Sequence, residues 1–310
     1  MKRALLIYNP NAGSGVIKNH LDAVIDAFEN KGMLLVPFRL GGSHTVEQIM
    51  MEHPINDYCK IIVAGGDGTV NLVVNSMVRH DIHIPLAIFP TGTANDLATH
   101  LGIPSDIESM IEASLSDDYM KVDIGKAGSK YFINVLAVGM LVDVSQRTDP
   151  AIKNALGIGA YYLRSLAEVP FAHPHKLKIT SEEKNLNEEV TAVLVMNGRS
   201  AGGFKEVAPL SEVGDGLLDV IVIRKLILPT MLPALLSVVT GNHTKNDKQF
   251  VYFRTARLRI EAADNEKINT DIDGEMGDSL PIDVEILPGR LLLCKYNEGP
   301  HFGSKSNFYR

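Results

Sequence analysis

Three short glycine-containing segments carry the residue types that bind phosphate groups. They are NPNAGSG at 9–15, GGDGT at 65–69 and PTGT at 90–93. Glycine lets backbone N–H groups approach phosphate oxygens closely, and a helix that begins just after such a loop adds the positive end of its dipole. One loop alone is more simply explained as a tight turn, whereas three in one chain predict a nucleotide site. The sequence has neither a GxxxxGK[ST] phosphate loop nor a GxGxxG with its usual acidic residue.

Three aspartates beside or beyond these loops could hold a metal ion. Asp67 lies inside the second loop, Asp96 follows the third, and Asp123 comes after a further apolar run. Mg²⁺ takes carboxylate and water oxygens as ligands, so these side chains are candidates for a metal that accompanies a phosphate group. Asp96 could equally be the N-cap of the next helix, and Asp123 could be a turn carboxylate. For Asp67, between glycines, the functional interpretation is favoured over a turn.

The elements that must position these loops alternate between strand and helix. Strands are predicted at 4–8, 34–38, 60–64 and 85–89, with helical segments around 21–28, 45–51 and 70–78 and another that opens near Asn95. Strands that alternate with helices form a parallel sheet, and ligands bind at the carboxyl ends of its strands. The three loops follow the first, third and fourth strands, so all are predicted at that edge.

The chain changes character after Asp123. Strands are predicted at 131–138, 176–180, 190–196, 218–223, 250–260 and 284–287, with helices only around 160–168 and 231–239. This pattern indicates a mostly antiparallel β-sandwich. We therefore expect an α/β nucleotide-binding domain over 1–125 and a β-rich substrate domain over 126–289. The tail, 290–310, is expected to rejoin the first domain.

Composition excludes several classes of protein. The 310 residues are 45% hydrophobic and 22% charged, which is typical of a globular enzyme. The net charge of −7 argues against a nucleic-acid binder, which needs a dominant basic surface. Cys59 and Cys294 lack metal-ligand spacing and are expected to be reduced thiols. No leader or membrane-spanning segment is evident, because the apolar stretch at 226–239 contains two prolines and is too short; a cytoplasmic protein is expected.

One window of the sequence has the opposite charge. Between Arg224 and Arg259 there are seven lysines or arginines and a single acid, Asp247, and the same window contains the apolar stretch at 226–239. Basic charge beside an exposed apolar helix is how a peripheral protein binds an anionic membrane. The alternative is a solvated basic edge beside an internally packed helix. Peripheral contact with the inner face of the membrane is the preferred interpretation.

The motifs, taken together, resemble the catalytic-domain family of diacylglycerol kinases, which also includes sphingosine and ceramide kinases. The resemblance rests on Asn9-Pro10…Gly13, Gly65-Gly66-Asp67-Gly68-Thr69-Val70-Asn71, Pro90-Thr91-Gly92-Thr93-Ala94-Asn95-Asp96, Val122-Asp123-Ile124-Gly125, Gly214-Asp215-Gly216 and Asp273-Gly274-Glu275. GGDGT alone is shared with NAD kinases and phosphofructokinases, whereas the combination spans nearly the whole chain. The family fold joins a parallel α/β domain, like that of NAD kinase, to a mostly antiparallel β-sandwich.

The resemblance also implies roles for particular residues. The residues that would hold ATP are Asn9, Pro10, Asn11, Ala12, Gly13, Gly65, Gly66, Asp67, Gly68, Thr69, Val70, Asn71 and Thr93. Glu275 would be the general base, with Asp67 as the other catalytic residue. A second Mg²⁺, structural in role, would be held by Asp215 and the backbone carbonyls of Glu212 and Leu217. The other interpretation of 214–216 is a simple hairpin turn. A threonine that often touches the nucleotide after the second strand is replaced by Leu40 or a neighbour.

The function implied by this resemblance is ATP- and Mg²⁺-dependent transfer of a phosphoryl group to the hydroxyl of a membrane lipid. Diacylglycerol, giving phosphatidic acid, is the expected substrate, although the sequence does not identify the lipid. The alternatives are NAD-kinase-like phosphorylation of a nucleotide and a non-catalytic regulator that binds nucleotide or lipid. Loss of Asp67, Gly68 or Glu275 would favour the regulator, and all three are present. The sequence leaves an oligomer open.

Overall fold

A computed structural model of the chain describes residues 1–42, 45–140, 142, 174–245, 248–264 and 266–296. The described part of its first half contains four parallel strands, five α-helices and two 3₁₀ helices, at Ala12–Gly15 and Ile55–Asp57. The strands are β1 (Lys2–Tyr8), β2 (Met33–Arg39), β3 (Lys60–Gly65) and β4 (Leu86–Pro90). The helices are α1 (Val16–Asn30), α2 (Val46–Glu52), α3 (Asp67–Arg79), α4 (Asp96–His100) and α5 (Ile107–Leu115). Every predicted strand of this half is present within two residues of its expected bounds.

The four strands lie in the order β2-β1-β3-β4, all parallel. Leu5 and Ile7 face one core and Leu6 and Tyr8 face another, because helices cover both sides of the sheet. A strand buried on both faces is apolar at every position, which is why β1 has no alternation. The order makes β1, β3 and β4 neighbours, so the loops that follow them meet.

The described part of the second half is built from antiparallel strands, one α-helix described over its whole length and a 3₁₀ helix at Asn242–Lys245. The strands are β5 (Tyr119–Ala127), β6 (Lys130–Phe132), β7 (Val135–Gly139), β8 (His175–Ser181), β9 (Asn185–Met196), β10 (Leu218–Arg224), β11 (Phe250–Thr255), β12 (Arg257–Ala262), β13 (Asn269–Ile272), β14 (Glu275–Ser279) and β15 (Ile282–Cys294). The helix, α6 (Leu228–Val239), packs on β9, β10 and β11 through a separate apolar cluster. The α/β fold followed by a β-sandwich agrees with the sequence prediction.

Strand β15 connects the two halves. Its residues pair antiparallel with β12 and β5, and near its end Leu293 pairs parallel with Leu86 of β4. The sheet is therefore continuous from the parallel strands to the antiparallel ones. The predicted domain boundary at 125 falls inside β5, and the two-domain division stays a prediction.

Two predicted strands are divided in the structure. The segment at 250–260 forms β11, which pairs with β10, and β12, which pairs with β8 and β15, because the chain changes partner at Ala256. The segment at 131–138 is interrupted between β6 and β7. The helix predicted at 160–168 lies outside the described residues. Within the described ranges no helix could cross a membrane, and both cysteines are free.

Candidate active site

The three glycine loops meet at one edge of the parallel sheet. Asn9, after β1, donates its N–H to the Ala64 carbonyl of β3 at 2.9 Å. Thr91, after β4, donates to the Gly65 carbonyl at 3.0 Å. These hydrogen bonds extend the strand pairing into the loops. The predicted convergence of the loops is therefore present in the fold.

Glycine is needed where the loops touch. A Cβ on Gly92 would lie 2.4 Å from the Gly66 Cα, and one on Gly13 would lie 2.0 Å from the Thr91 carbonyl oxygen. Gly13 also has φ +52°, a backbone conformation that side chains disfavour. Larger residues at these positions would push the loops apart.

Asp67 joins the second loop to the third. It is the first residue of α3, and its carboxylate accepts hydrogen bonds from the backbone N–H groups of Asn95 at 2.8 Å and Asp96 at 2.6 Å. These two N–H groups lie at the N-terminus of α4, where the side chain of the helix's own N-cap residue, Asn95, makes no capping hydrogen bond. Asp67 supplies the acceptor from a different segment of the chain. Burial raises the pKa of its carboxyl, and the hydrogen bonds from the two N–H groups oppose that rise.

Asp96 lies beside Asp67 and contacts the second half of the protein. Its Oδ1 accepts a hydrogen bond from the Gly203 N–H at 3.0 Å. Burial and the charge of Asp67 together raise the pKa of Asp96 to about 7. Two neighbouring buried carboxylates repel each other, and a cation between them would relieve that repulsion. Asp67 and Asp96 are therefore suited to hold a metal that arrives with a phosphate group.

The Asp273-Gly274 pair is a two-residue hairpin turn between β13 and β14. Both residues have positive φ, +50° and +87°, as the tight hairpin requires. Asp273 and Gly274 therefore form a turn and do not continue the strand. Glu275, the first residue of β14, is exposed and lines the same cavity as Asp67.

Asp273 has a role that the sequence did not indicate. Its carboxylate accepts hydrogen bonds from three consecutive backbone N–H groups, those of Ile133 at 2.7 Å, Asn134 at 3.0 Å and Val135 at 2.8 Å. It also accepts from the Asn71 side-chain amide at 2.7 Å. Asp273 thus fixes the hairpin that carries Glu275 against both α3 and the break between β6 and β7.

A cavity of about 360 Å³ lies between the loops and the sandwich. One end is polar and acidic, with Asp67, Gly68, Asp96, Asn134, Asp271, Asp273 and Glu275. The other end is apolar, with Leu194, Phe204, Val207, Ile223, Leu235 and Val238 among its residues. A molecule that fits this cavity has a polar group at one end and a hydrocarbon portion at the other.

The residues predicted to bind ATP differ in how they are placed. Asn11, Gly13, Gly68 and Thr93 are exposed at the loops, whereas Pro10, Gly65, Thr69, Val70 and Asn71 are buried. The Val70 side chain packs in the apolar core, and that of Asn71 is hydrogen-bonded to Asp273, so neither side chain is directed to a nucleotide. The predicted contact of this segment with ATP therefore rests on Gly66, Asp67 and Gly68.

The metal role predicted for Asp123 stays a prediction, and the geometry shows a structural role for its carboxylate. Asp123 is buried, and its two carboxylate oxygens accept the backbone N–H groups of Gly216 at 2.7 Å and Gly289 at 2.6 Å. The side chain therefore ties two loops together, which agrees with the turn alternative.

The second predicted metal site, at Asp215, stays a prediction, and a guanidinium lies against its carboxylate. One Asp215 oxygen accepts the Leu217 N–H at 3.0 Å, and the other is bound by the Arg254 guanidinium. The Arg254 guanidinium is thus the cation beside this carboxylate in the structure, and the metal role predicted for the backbone carbonyls of Glu212 and Leu217 stays untested. No group of three or more His, Cys, Asp or Glu side chains suited to a metal occurs in the described ranges.

The basic window is largely neutralised by carboxylates. The ion pairs are Arg224–Glu188 at 3.1 Å, Lys225–Glu189 at 2.9 Å, Arg257–Glu182 at 2.9 Å, Arg259–Asp283 at 2.6 Å and Arg254–Asp215. These acids come from outside the window, which is why counting charges along the sequence overestimated its basic character.

Comparison with known proteins identifies relatives over nearly the whole chain. Residues 3–127 match the model of the diacylglycerol kinase catalytic domain, and residues 134–295 match that of the YegS C-terminal NAD kinase beta sandwich-like domain. A diacylglycerol kinase of Bacillus subtilis is 33% identical over 282 residues, which cover 91% of this chain and 92% of the relative. One from Staphylococcus carnosus is 31% identical, with 90% of each chain covered.

A solved structure is also similar. It belongs to a Bacillus anthracis protein assigned to the diacylglycerol kinases, with a TM-score of 0.80 and 29% sequence identity. The likeness covers 96% of both chains. The fold is thus shared with an experimentally determined structure.

Proposed function

The chain belongs to the diacylglycerol kinase family of lipid kinases, and from this we propose that it transfers the γ-phosphate of ATP to the hydroxyl of a diacylglycerol, giving phosphatidic acid. The observation that carries the proposal is the two-part cavity. Its acidic end adjoins the phosphate loops and its apolar end lies under α6. A lipid alcohol has the same two parts, whereas a nucleotide acceptor would place a polar ribose and base against the apolar end.

The glycine loops would bind the phosphate groups of ATP. Their backbone N–H groups and the N-terminus of α3 would bind the phosphates of ATP, since donors fixed by the fold need no reorganisation. Asp67 and Asp96 would hold the Mg²⁺ that accompanies ATP, which when bound neutralises charge on the phosphoryl oxygens. Asp67 also fixes the third loop, so the same carboxylate would orient the site and contact the metal.

The acceptor end uses the hairpin that carries Glu275. A lipid hydroxyl is a poor nucleophile at neutral pH, so its proton must be accepted as the oxygen attacks phosphorus. Glu275 would accept that proton, because its side chain is exposed and lines the same cavity as Asp67 and Asp96. The hydrogen bonds of Asp273 hold this hairpin in place. The acyl chain of the lipid would lie against Phe204, Val207 and Leu235.

The test of the proposal is phosphorylation of defined acceptors. Purified protein is incubated with labelled ATP, Mg²⁺ and mixed micelles that contain diacylglycerol, phosphatidylglycerol, undecaprenol or a long-chain base, and separately with NAD. We expect labelled phosphatidic acid from diacylglycerol and no labelled nucleotide product. Labelling of another lipid would replace the substrate, labelling of NAD would favour the NAD-kinase alternative, and no product at all would favour the regulator.

Contact with the membrane surface is proposed to use α6. Leu228–Val239 contains no charged residue, and the helix contributes Leu235 and Val238 to the cavity. Its outer side presents Leu236, and Ile227 just before it, to solvent at 42% and 62% exposure. An apolar helix that both lines the lipid cavity and faces outward can lie at the bilayer boundary, where diacylglycerol enters.

Replacing Ile227 and Leu236 with aspartate is expected to weaken binding to phosphatidylglycerol vesicles by roughly tenfold or more, because two apolar contacts with the bilayer are lost. Vesicle sedimentation measures this binding. Met51→Asp is the matched control, since Met51 is 68% exposed on α2 of the first half. Activity on a short-chain, soluble diacylglycerol should persist in both variants. Equal binding by all three proteins would remove α6 from the proposal.

A further inference from the structure

Strand pairing brings a cation to the position where the family resemblance implies a structural metal. In the antiparallel pair of β10 and β11, Asp219 and Arg254 are direct partners. Directly opposed residues share a face of the sheet, so their side chains are neighbours. Asp215 lies four residues before Asp219, in the loop that leads into β10. The strand register thus places Arg254 beside Asp219, at the end of the strand where the loop with Asp215 begins.

The contacts of Arg254 fit this placement. Its Nη2 donates to an Asp215 carboxylate oxygen, and its Nε lies 3.6 Å from Oδ1 of Asp219. The Asp219 side chain is only 1% exposed, and its Oδ1 also accepts the Tyr252 hydroxyl. Burial raises the pKa of the Asp219 carboxyl and the hydrogen bond from Tyr252 opposes that rise, and the Arg254 guanidinium is the cation that lies beside it.

Asp123 also holds the loop that carries Asp215. Asp123 accepts the Gly216 N–H at 2.7 Å, and its own N–H donates to the Val213 carbonyl at 2.7 Å. Asp215 accepts the Leu217 N–H at 3.0 Å. The loop is therefore closed by hydrogen bonds within the protein, with the Arg254 guanidinium at its charged side. A divalent ion at Asp215 would have to displace that guanidinium or sit against it.

We propose that Arg254 is the resident cation of this loop and performs the structural role that the family resemblance assigns to a second Mg²⁺. The fold around Asp215 and Asp219 then does not depend on a bound metal. The metal requirement of the protein is confined to the ion that accompanies the nucleotide. The inference concerns the stability of the loop and holds whichever lipid is phosphorylated.

Thermal unfolding of nucleotide-free protein, in chelator and in millimolar Mg²⁺, tests the proposal. The unaltered protein is expected to unfold at the same temperature in both. Arg254→Met should lower the unfolding temperature in chelator by about 5 °C or more, because Asp215 loses its ion-pair partner and the buried Asp219 loses the cation beside it. Millimolar Mg²⁺ should raise the unfolding temperature of Arg254→Met part of the way back, and should not change that of the unaltered protein. The unfolding temperature of Arg254→Lys should fall by less, because lysine keeps the positive charge but lacks the branched guanidinium that reaches two carboxylates.

Two controls make the outcome decisive. Arg257→Met removes the guanidinium of an exposed ion pair with Glu182 and should change stability little. Asp215→Asn shows whether any stabilisation by Mg²⁺ comes from this loop or from another site. If Mg²⁺ stabilised the unaltered protein and Asp215→Asn abolished that effect, a metal would occupy the loop and the proposal would be wrong. Arg254→Met with unchanged stability would also overturn it. A Mg²⁺ effect that survives in Asp215→Asn belongs to another site and leaves Arg254 as the cation.

Discussion

Asp67→Asn is expected to lower turnover by roughly 10²–10³-fold, because it removes a fixed charge from the site where phosphoryl transfer needs neutralisation. The asparagine keeps one oxygen that can accept from the N–H groups of Asn95 and Asp96, so most of the loop geometry should remain. Circular dichroism, thermal unfolding and the lipid kinase assay on the same samples measure both consequences. Turnover close to that of the unaltered protein would remove Asp67 from the mechanism.

Asp67→Ala separates the structural part of this role from the catalytic part. Alanine leaves two backbone N–H groups of the α4 terminus without an acceptor, which typically costs about 1–3 kcal/mol. We expect Asp67→Ala to be less stable than Asp67→Asn and equally inactive. Asp106→Asn is the control, because Asp106 is an aspartate that caps a helix outside the three loops: it is the N-cap residue of α5 and accepts the Ser109 N–H at 2.8 Å. It should change stability slightly and leave turnover unaltered.

The parallel strands could be predicted because their apolar sequences match the burial of β1, β3 and β4 on both faces of the sheet. Strands buried on both faces are continuous apolar runs, and the glycine loops mark their ends. The antiparallel half was harder, since its strands change partners along their length. The run at 250–260 has strand character throughout, and only the pairing of β11 with β10 and of β12 with β15 shows where it divides.

The site could be predicted as far as its motifs, but not as far as its contacts. GGDGT indicated that Asp67 matters, yet its hydrogen bonds reach residues 28 and 29 positions away. The partners of Asp273 are more than 130 residues away, apart from its own hairpin. Spacing along the chain carries no information about such pairs. The ion pair of Arg254 likewise depends on the register of β10 against β11.

One signal in α3 could have shown how the two halves are joined. Asp67, Asn71 and Asn75 recur every four residues, which places them on one face of a helix that is otherwise mainly apolar. Asp67 holds the α4 terminus, and Asn71 donates to Asp273 at 2.7 Å. Asn75 exchanges hydrogen bonds with the Tyr131 backbone, at 3.1 and 3.2 Å. A single helix therefore positions both the phosphate loops and the hairpin of the general base.

Glu275→Gln is expected to reduce kcat by about 10²–10⁴-fold, the usual contribution of general-base catalysis. Glutamine has nearly the same shape but accepts a proton poorly. The hairpin should be unaffected, because the Asp273 carboxylate and the positive φ angles of Asp273 and Gly274 hold it. Nucleotide affinity and thermal stability should therefore remain close to those of the unaltered protein. Steady-state kinetics and a direct measurement of the Kd for ATP separate these effects.

Asp271 is the carboxylate against which the Glu275 assignment must be tested. It also lines the cavity, but it is 5% exposed and its Oδ1 accepts the Gly274 N–H at 2.8 Å. Asp271→Asn should therefore disturb the turn and lower stability, with a smaller effect on kcat than Glu275→Gln. The reverse order of the two kcat losses would make Asp271 the base. A loss in Glu275→Gln confined to ATP affinity would instead make Glu275 a ligand of the nucleotide or its metal, since a base acts on the acceptor hydroxyl after both substrates are bound.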